Sequence, residues 1–267
     1  MTVLSRLFIF ASMRRSPRRG PVPFRSSPLL LLATLACASA RPGETASYEQ
    51  LQASTIFAGG ASLLGVLTSG PGNLVLFGGD GDSLAVRYAL SSQTRAGLFR
   101  NQVETIDKGD SLFVSIRPTQ GSRVDLQLEM PEDLAVDLRD DGGRDTVFRN
   151  IENRVTVIHG GGSLDFEDIE GPLSIRDGGG PIRIRDVRGP LVVEDEGGGI
   201  RITEVQNSVR IQAAAGDVTL EKVGGDVRVQ MGAGRLTVRD VTGRLTYGKS
   251  GSGEVVVERI EGGVERL

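Results

Sequence analysis

The sequence predicts an all-β protein: a single-domain parallel β-solenoid (β-helix) with 18-residue coils of two short strands and an irregular N-terminal β cap. The first observation is a repeat, because a β-branched residue recurs every 18 positions at Ile151, Ile169, Val187, Val205, Val223 and Val241. The second is a set of turn glycines with the same period, which lie at Gly162, Gly180, Gly198, Gly216, Gly234 and, after one inserted residue, Gly253. The third is a pair of apolar residues at spacing two that recurs every nine residues. Short fixed periods of this kind are typical of solenoids.

The apolar pairs define the strands. Spacing two places both members, such as Leu173 and Ile175, on the same face of a strand. Nine-residue steps are too short for a helical crossover, and a meander of hairpins would not explain why alternate turns differ in composition. We therefore expect each coil to stack on the previous one, with Leu173, Leu191 and Val209 in line and facing inward. About six and a half coils at ~4.8 Å spacing would make a rod roughly 30 Å long.

The two turns of each coil differ in their residues. One turn contains the glycine cluster with the six turn glycines, which we predict to be structural. The other contains Gly or Asn two positions after the β-branched residue, as at Asn153, Gly171 and Asn207. Gly and Asn tolerate a left-handed backbone, so we expect positive φ there as well.

The region before the repeat has less regular strands. Apolar alternation predicts strands over residues 73–77, 83–90, 111–116 and 123–130, with a further step over 131–138. We predict that residues 73–150 are the irregular N-terminal part of the solenoid and that 151–267 are its regular part. Residues 41–72 are predicted to be a linker or tether.

The first forty residues resemble an export signal. A basic stretch, the apolar run "LLLLATLA" and small residues follow one another over residues 13–40, and Met13 is an alternative start. Two processing routes are open: cleavage after Ala40, or lipidation of Cys37 within "TLAC". Cys37 is the only cysteine, so no disulfide can form within the chain. The sequence predicts export to the periplasm, the cell surface or the extracellular space of a bacterium.

The charge of the chain is unevenly distributed. Residues 1–40 contain six arginines and no acidic residue, and the whole chain has a net charge of −3, so residues 41–267 carry −9. An acidic body disfavours nucleic acid as a partner, and membrane association is expected only through a lipid on Cys37.

The segment "EMPEDLAVDL" (129–138) followed by "GPLSIRDGGGPIRIRDVRGPLVVED" resembles a bacterial family called "putative adhesin", the domain of unknown function 4097. The similarity covers residues 73–267. It implies an exported β-solenoid, adhesive or scaffolding, without established catalytic residues.

The glycine clusters raise two alternatives. A phosphate loop requires a helix after the glycines, whereas each cluster here leads into a strand. Calcium-binding β-rolls also use nine-residue half-units, and Asp168, Asp177, Asp186, Asp195 and Glu204 lie nine apart. However, Arg183 occupies the position where such a roll needs Asp, so we favour solvated turn acids over a metal site.

Enzymatic chemistry has little support in the repeat. The only histidine, His159, precedes a glycine turn and is predicted to be a turn residue. A carbohydrate-active enzyme requires two facing carboxylates, and no acidic pair is singled out by a break in the repeat. We therefore predict a non-enzymatic scaffold without cofactors, and keep a carbohydrate-active β-helix enzyme or a polysaccharide-binding protein as the alternative.

The outward positions form charged columns. One column contains Glu167, Arg185, Thr203, Glu221, Arg239 and Glu258, and another contains Arg176, Glu194, Gln212 and Gln230. Opposite charges on neighbouring coils favour correct pairing, and a docking surface for an envelope partner is the alternative function of these faces. Arg266 stands at an inward position of the last coil, which predicts a charge-blunted end and a monomer.

Overall fold

The computed structural model describes residues 48–100 and 102–267, which form a parallel β-solenoid of about seven turns. The predicted export signal and Cys37 lie outside the described residues. The strands are β1 (Tyr48–Phe57), β2 (Leu63–Thr68), β3 (Asn73–Gly79), β4 (Ser83–Ser92), β5 (Gln102–Asp107), β6 (Ser111–Arg117), β7 (Ser122–Pro131), β8 (Ala135–Asp140), β9 (Asp145–Ile151), β10 (Val155–His159), β11 (Leu164–Ile169), β12 (Leu173–Asp177), β13 (Ile182–Val187), β14 (Leu191–Asp195), β15 (Ile200–Val205), β16 (Val209–Ala215), β17 (Val218–Val223), β18 (Val227–Ala233), β19 (Leu236–Val241), β20 (Leu245–Lys249), β21 (Val255–Ile260) and β22 (Val264–Arg266). One short helix, α1 (Arg95–Arg100), follows β4.

The strands form two eleven-stranded sheets that enclose one hydrophobic core. Sheet A has the order β1-β4-β7-β3-β9-β11-β13-β15-β17-β19-β21, and sheet B has the order β22-β20-β18-β16-β14-β12-β10-β8-β2-β6-β5. In the regular part, even-numbered strands lie in sheet B and odd-numbered strands in sheet A. Each 18-residue coil therefore contributes one strand to each sheet.

The predicted stacking of the coils is confirmed. Leu173 pairs with Leu191 and Leu191 with Val209 in parallel register, and all three side chains are buried. The rings of Phe148 and Phe166 stack in the same way, with centroids 4.6 Å apart. Each fully buried aliphatic or aromatic side chain contributes about 1.5–3 kcal/mol, so neighbouring coils stabilise one another through a continuous apolar ladder.

The glycine turns are determined by conformation and by close packing. All six predicted turn glycines have positive φ; at Gly198 the angle is 125°. A Cβ at Gly198 would lie 2.0 Å from the carbonyl oxygen of Gly180 in the previous coil. These positions accept no side chain because the backbone of the neighbouring coil occupies the space.

The second turn differs from the prediction. The predicted residue, two positions after the β-branched residue, does not have positive φ. The residue directly before the β-branched position has it instead, at Asn150, Asp168, Asp186, Glu204, Lys222, Asp240 and Arg259. Gly171 is not among the residues with positive φ. It is needed because a Cβ there would lie 2.3 Å from the backbone of Asn153. Thus steric contact between coils, rather than φ, explains the recurring glycine.

The N-terminal part begins earlier than the sequence predicted. Residues assigned to a linker include β1 and β2, and Leu64 and Val66 of β2 are buried in the core. The linker prediction is wrong for these residues because β2 pairs in parallel with both β6 and β8, which satisfies its backbone on both sides. The predicted strands between residues 73 and 138 are confirmed as β3, β4, β6, β7 and β8, whereas α1 was not predicted.

The N-terminal coils are stacked out of chain order. The first parallel coil, β2 with β3, lies between β6–β7 on one side and β8–β9 on the other. The outermost strands are antiparallel: β1 pairs with β4, β4 with β7 and β5 with β6. The chain therefore leaves the first coil, builds a cap through β4, α1 and β5, and returns to insert the β6–β7 coil beneath the cap.

Candidate functional site

A row of polar side chains is buried inside sheet B. Its five residues lie at the same inward position of consecutive strands, and we call them the polar ladder: Thr68, Asp140, His159, Asp177 and Asp195. None is more than 4% exposed. The row begins beside Ile116 and continues into Ala213 and Met231, so the polar ladder occupies the middle of an otherwise apolar column.

Asp140 receives hydrogen bonds from two parts of the chain. The Thr68 hydroxyl donates to Oδ1 of Asp140 at 2.6 Å, and the backbone N–H of Arg144 donates to its Oδ2 at 3.0 Å. The guanidinium Nε of Arg144 lies 3.6 Å from Oδ1. The carboxylate is therefore buried next to a cation and two donors.

Arg144 connects the loop between β8 and β9 to the β2–β3 and β6–β7 coils. Its side chain is fully buried, Nη1 donates to the carbonyl oxygen of Val124 at 2.5 Å, and Nη2 donates to that of Ser69 at 2.7 Å. Burial lowers the pKa of Arg144, and the charge of Asp140 opposes that effect. The guanidinium thus satisfies one carbonyl group of β7 and one of the loop after β2.

His159 bonds at both ring nitrogens. Nε2 lies 2.8 Å from the carbonyl oxygen of Arg144, which can only accept, so Nε2 carries a hydrogen. Nδ1 lies 2.7 Å from Oδ1 of Asp177. Burial lowers the pKa of His159, but the hydrogen bonds to Asp177 and Arg144 and the charges of Asp177 and Asp140 outweigh it and raise the pKa. This arrangement suits an imidazolium that donates to both partners.

Asp195 is the incompletely satisfied member of the polar ladder. Its Oδ1 accepts from the backbone N–H of Gly197 at 3.3 Å, and its buried Oδ2 has no hydrogen-bond partner. Burial raises the pKa of Asp195 to about 6, the bond from Gly197 opposes this, and the charges of Asp177 and Glu196 add to it. A proton on Asp195 can be donated to the carboxylate of Asp177, which pairs with it in register.

The polar ladder corrects two predictions. His159 is not a turn residue, because it ends β10 with its side chain inside the core. The nine-residue series of acids also divides in two: Asp177 and Asp195 are buried, whereas Asp168, Asp186 and Glu204 occupy the left-handed turn. Among the described residues, no group of three or more His, Cys, Asp or Glu side chains is placed to hold a metal ion.

The solvent side of sheet B carries a shallow groove, which we call the sheet B groove. It has a volume of about 620 Å³, and its lining includes Arg176, Glu194, Gln212, Gln230 and Gly248. Asp177 and Asp195 also belong to its lining residues, although their side chains are buried. This volume lies within the range of ligand sites in proteins.

A regular array of side chains borders the sheet B groove. The segments "VRIQ" (209–212) and "VRVQ" (227–230) pair in register, so Arg210 lies beside Arg228 and Gln212 beside Gln230. All four side chains are exposed, whereas the valine and isoleucine residues between them are buried. We call these four residues the Arg–Gln array. The sequence placed Gln212 and Gln230 in a column but missed the arginines, which only the pairing of consecutive coils brings together.

The described residues thus define a parallel β-solenoid that has a buried polar ladder and a polar groove on one outer face. No family model matches the chain, and no curated protein matches it. The family resemblance therefore stays a prediction. No helix in the described part of the chain is long and apolar enough to cross a membrane.

Several solved structures are similar to the chain. A "putative lipid binding protein" from Parabacteroides distasonis is 11% identical with a TM-score of 0.42, and the alignment covers 81% of this chain and 96% of that one. A "putative adhesin" from the same species has the same identity and TM-score, with 82% and 97% covered. A "putative adhesin" from Bacteroides fragilis is 12% identical with a TM-score of 0.34, with 82% and 97% covered. These weak likenesses assign no ligand, activity or partner to this chain.

Proposed function

We propose that the protein is a non-enzymatic, exported scaffold of the bacterial cell envelope that binds an envelope or surface partner through the sheet B groove. The observation that carries the proposal is the placement of this groove on a rigid two-sheet rod. Its lining residues Gln212, Gln230 and Glu194 belong to strands whose opposite face is locked into the core. A backbone held in this way needs little rearrangement on binding, which favours recognition.

The role as an adhesin-like scaffold rests on the sequence resemblance. The location in the cell envelope rests on the basic, apolar and small residues over 13–40. Fractionation of cells, followed by mass spectrometry of the mature N-terminus, tests the location. A chain that begins at Arg41, or at a lipid-bearing Cys37, supports export. A cytoplasmic chain that keeps residues 13–40 contradicts it.

A binding experiment tests the groove. Purified protein is mixed with isolated cell envelopes and separated by sedimentation. The variant Gly248→Tyr fills the groove, and a Cβ at Gly248 makes only ordinary contacts, at 3.5 Å from Leu267. The matched control is Thr219→Tyr, which adds the same ring to the outer face of sheet A. We expect wild type and the control to sediment with the envelopes and Gly248→Tyr to remain in solution.

Two results would count against this function. Wild-type protein that does not sediment with envelopes contradicts partner binding, and equal retention of both variants contradicts the groove as its location. Release of reducing ends from a polysaccharide by the wild-type protein would instead favour the carbohydrate-active enzyme.

A further inference from the structure

Many charges on the outer surface are paired between coils. Opposite charges on neighbouring coils form the ion pairs Arg176–Glu194, Arg185–Glu167, Arg188–Glu170, Lys222–Glu204 and Arg259–Asp240. Arg239 contacts a carboxylate on each side, Glu221 at 3.8 Å and Glu258 at 3.2 Å. These pairs compensate part of the charge on the outer surface within the protein.

The arginines of the Arg–Gln array have no such partner on the described coils. Arg210 and Arg228 pair directly in register, and their column continues with Val192 on one side and Thr246 on the other. Neither arginine takes part in an ion pair with another described residue. Glu194, which is in line with Gln212 one coil earlier, is already held by Arg176 at 2.8 Å.

Placing like charges opposite each other on adjacent strands is unfavourable. The array nevertheless repeats the same outward pair of residues on two successive coils, at ~4.8 Å along the rod axis and ~7 Å along each strand. A bound anion would remove the repulsion that the protein itself leaves uncompensated. Gln212 and Gln230 line the sheet B groove, so the array adjoins a larger surface.

The residue types indicate the chemistry of the ligand. A guanidinium binds a carboxylate through two parallel hydrogen bonds. The amide of glutamine both donates and accepts, which suits the hydroxyl groups of a sugar. Because the same two groups recur from one coil to the next along the axis, the surface fits an extended ligand that carries its own repeat of acid and hydroxyl groups.

We propose that the Arg–Gln array binds an acidic polysaccharide, with uronate carboxylates on Arg210 and Arg228 and neighbouring sugar hydroxyls on Gln212 and Gln230. This inference rests on the proposed function and names its partner. A lipid surface lacks the regular alternation of acids and hydroxyls.

The test measures binding of the purified protein to oligogalacturonate by isothermal titration calorimetry, with a neutral oligosaccharide of the same length as the comparison ligand. The test variant is Arg210→Gln with Arg228→Gln. The control variant is Arg183→Gln with Arg201→Gln, which removes the same charge from a second in-register arginine pair on the outer face of sheet A. That pair has Asp165 next in its column and no glutamine beside it.

We expect wild-type protein to bind oligogalacturonate but not the neutral ligand, and the affinity to fall as salt increases. The array variant should lose affinity about tenfold or more, because two charged hydrogen-bonding groups are removed, and the control should change by about twofold at most.

No binding of oligogalacturonate by the wild type, or equal losses in both variants, would overturn the proposal. Tighter binding of duplex DNA or of phosphatidylglycerol vesicles would overturn it too. Envelope sedimentation that persists without oligogalacturonate binding would refute this ligand while leaving the proposed function intact.

Discussion

The N-terminal part, residues 48–150, and the regular coils, residues 151–267, share both sheets and one core but are held together differently. In the regular coils each residue stacks on its equivalent 18 positions away, as Ile175 does on Val193. In the N-terminal part the important contacts are distant in sequence: Thr68 bonds to Asp140, 72 positions away, and Arg144 bonds to Ser69, 75 positions away.

This difference shows two ways of fixing the register of a parallel sheet. A regular repeat specifies register because each coil offers the same apolar pattern and the same turn to the next. A coil inserted out of order does not have this repeated pattern on both sides. Its register must still be specified, because a strand that slips by one residue exposes its apolar face. We infer that Asp140, Arg144 and His159 specify the arrangement there, since each bonds only in this register.

The largest expected effect follows from removing Arg144. The change Arg144→Met keeps much of the side-chain volume but leaves Asp140 without its buried cation and two carbonyl groups without a donor. We expect a loss of about 3–5 kcal/mol in the free energy of unfolding, measured by urea denaturation. Arg154→Met, at an exposed position, should cost less than about 0.5 kcal/mol. Similar costs at both positions would contradict the role of Arg144.

A smaller but still large effect is expected within the regular coils. Gly198→Ala places a Cβ 2.0 Å from a backbone oxygen at a φ of 125°. We expect it to lower the free energy of unfolding by about 2–4 kcal/mol. Its neighbour Gly197 has no atom within 4 Å of the corresponding Cβ and lacks positive φ, so Gly197→Ala is the matched control and should be nearly neutral. The melting temperatures of both variants are compared. A drop in Gly198→Ala alone supports contact with the neighbouring coil, whereas equal drops in both variants indicate that the loop only requires flexible residues.

The third prediction concerns Asp195, the end of the polar ladder that lies within the regular coils. The pKa of Asp195 is about 6 in the folded protein, above its ordinary value of 3.8, so the folded protein binds this proton more tightly than the unfolded chain. The stability that the proton provides is present below about pH 4 and is lost as the pH rises through 6.

Asp195→Asn removes this titration, and its amide can donate to Asp177 at any pH. We expect the variant to match wild type at pH 4 and to be more stable by about 1–2 kcal/mol at pH 8, as measured by urea denaturation at both values. His159 is present in both proteins, so its own titration affects both. A stability difference that is independent of pH would show that Asp195 is ionised throughout the range.

The sequence predicted the regular coils well because their signal is local and repeated. The stacking of Leu173, Leu191 and Val209 and the positive φ at Gly198 both follow from the 18-residue period. The N-terminal order was not predictable in this way. Nothing in the apolar alternation of β2 shows that it lies between β6 and β8, since each of these strands offers the same kind of face.

The site was predicted less well than the fold, and the physical reason is the same. His159 and Asp177 are 18 positions apart, so the period alone would have placed them side by side. Their polar character instead suggested turn residues, because polar side chains at strand ends are usually solvated. Arg144 has no repeat partner and its contacts are distant, so no sequence pattern identifies it.

The smallest expected effect tests whether charge register matters on the outer faces. Arg228→Glu places a carboxylate in register with Arg210, so the free energy of unfolding should rise by about 0.2–1 kcal/mol. The matched change Arg185→Glu places a carboxylate beside Glu167, to which Arg185 is now paired, and should lower it by a similar amount. Urea denaturation at low salt measures both, and high salt should reduce both differences. If both changes lower stability equally, the pairing of Arg210 with Arg228 has no cost, and a bound anion would relieve no repulsion there. If the signs differ as expected, the protein retains a pair of arginines that a single substitution would stabilise, which is the pattern of a surface kept for binding rather than for folding.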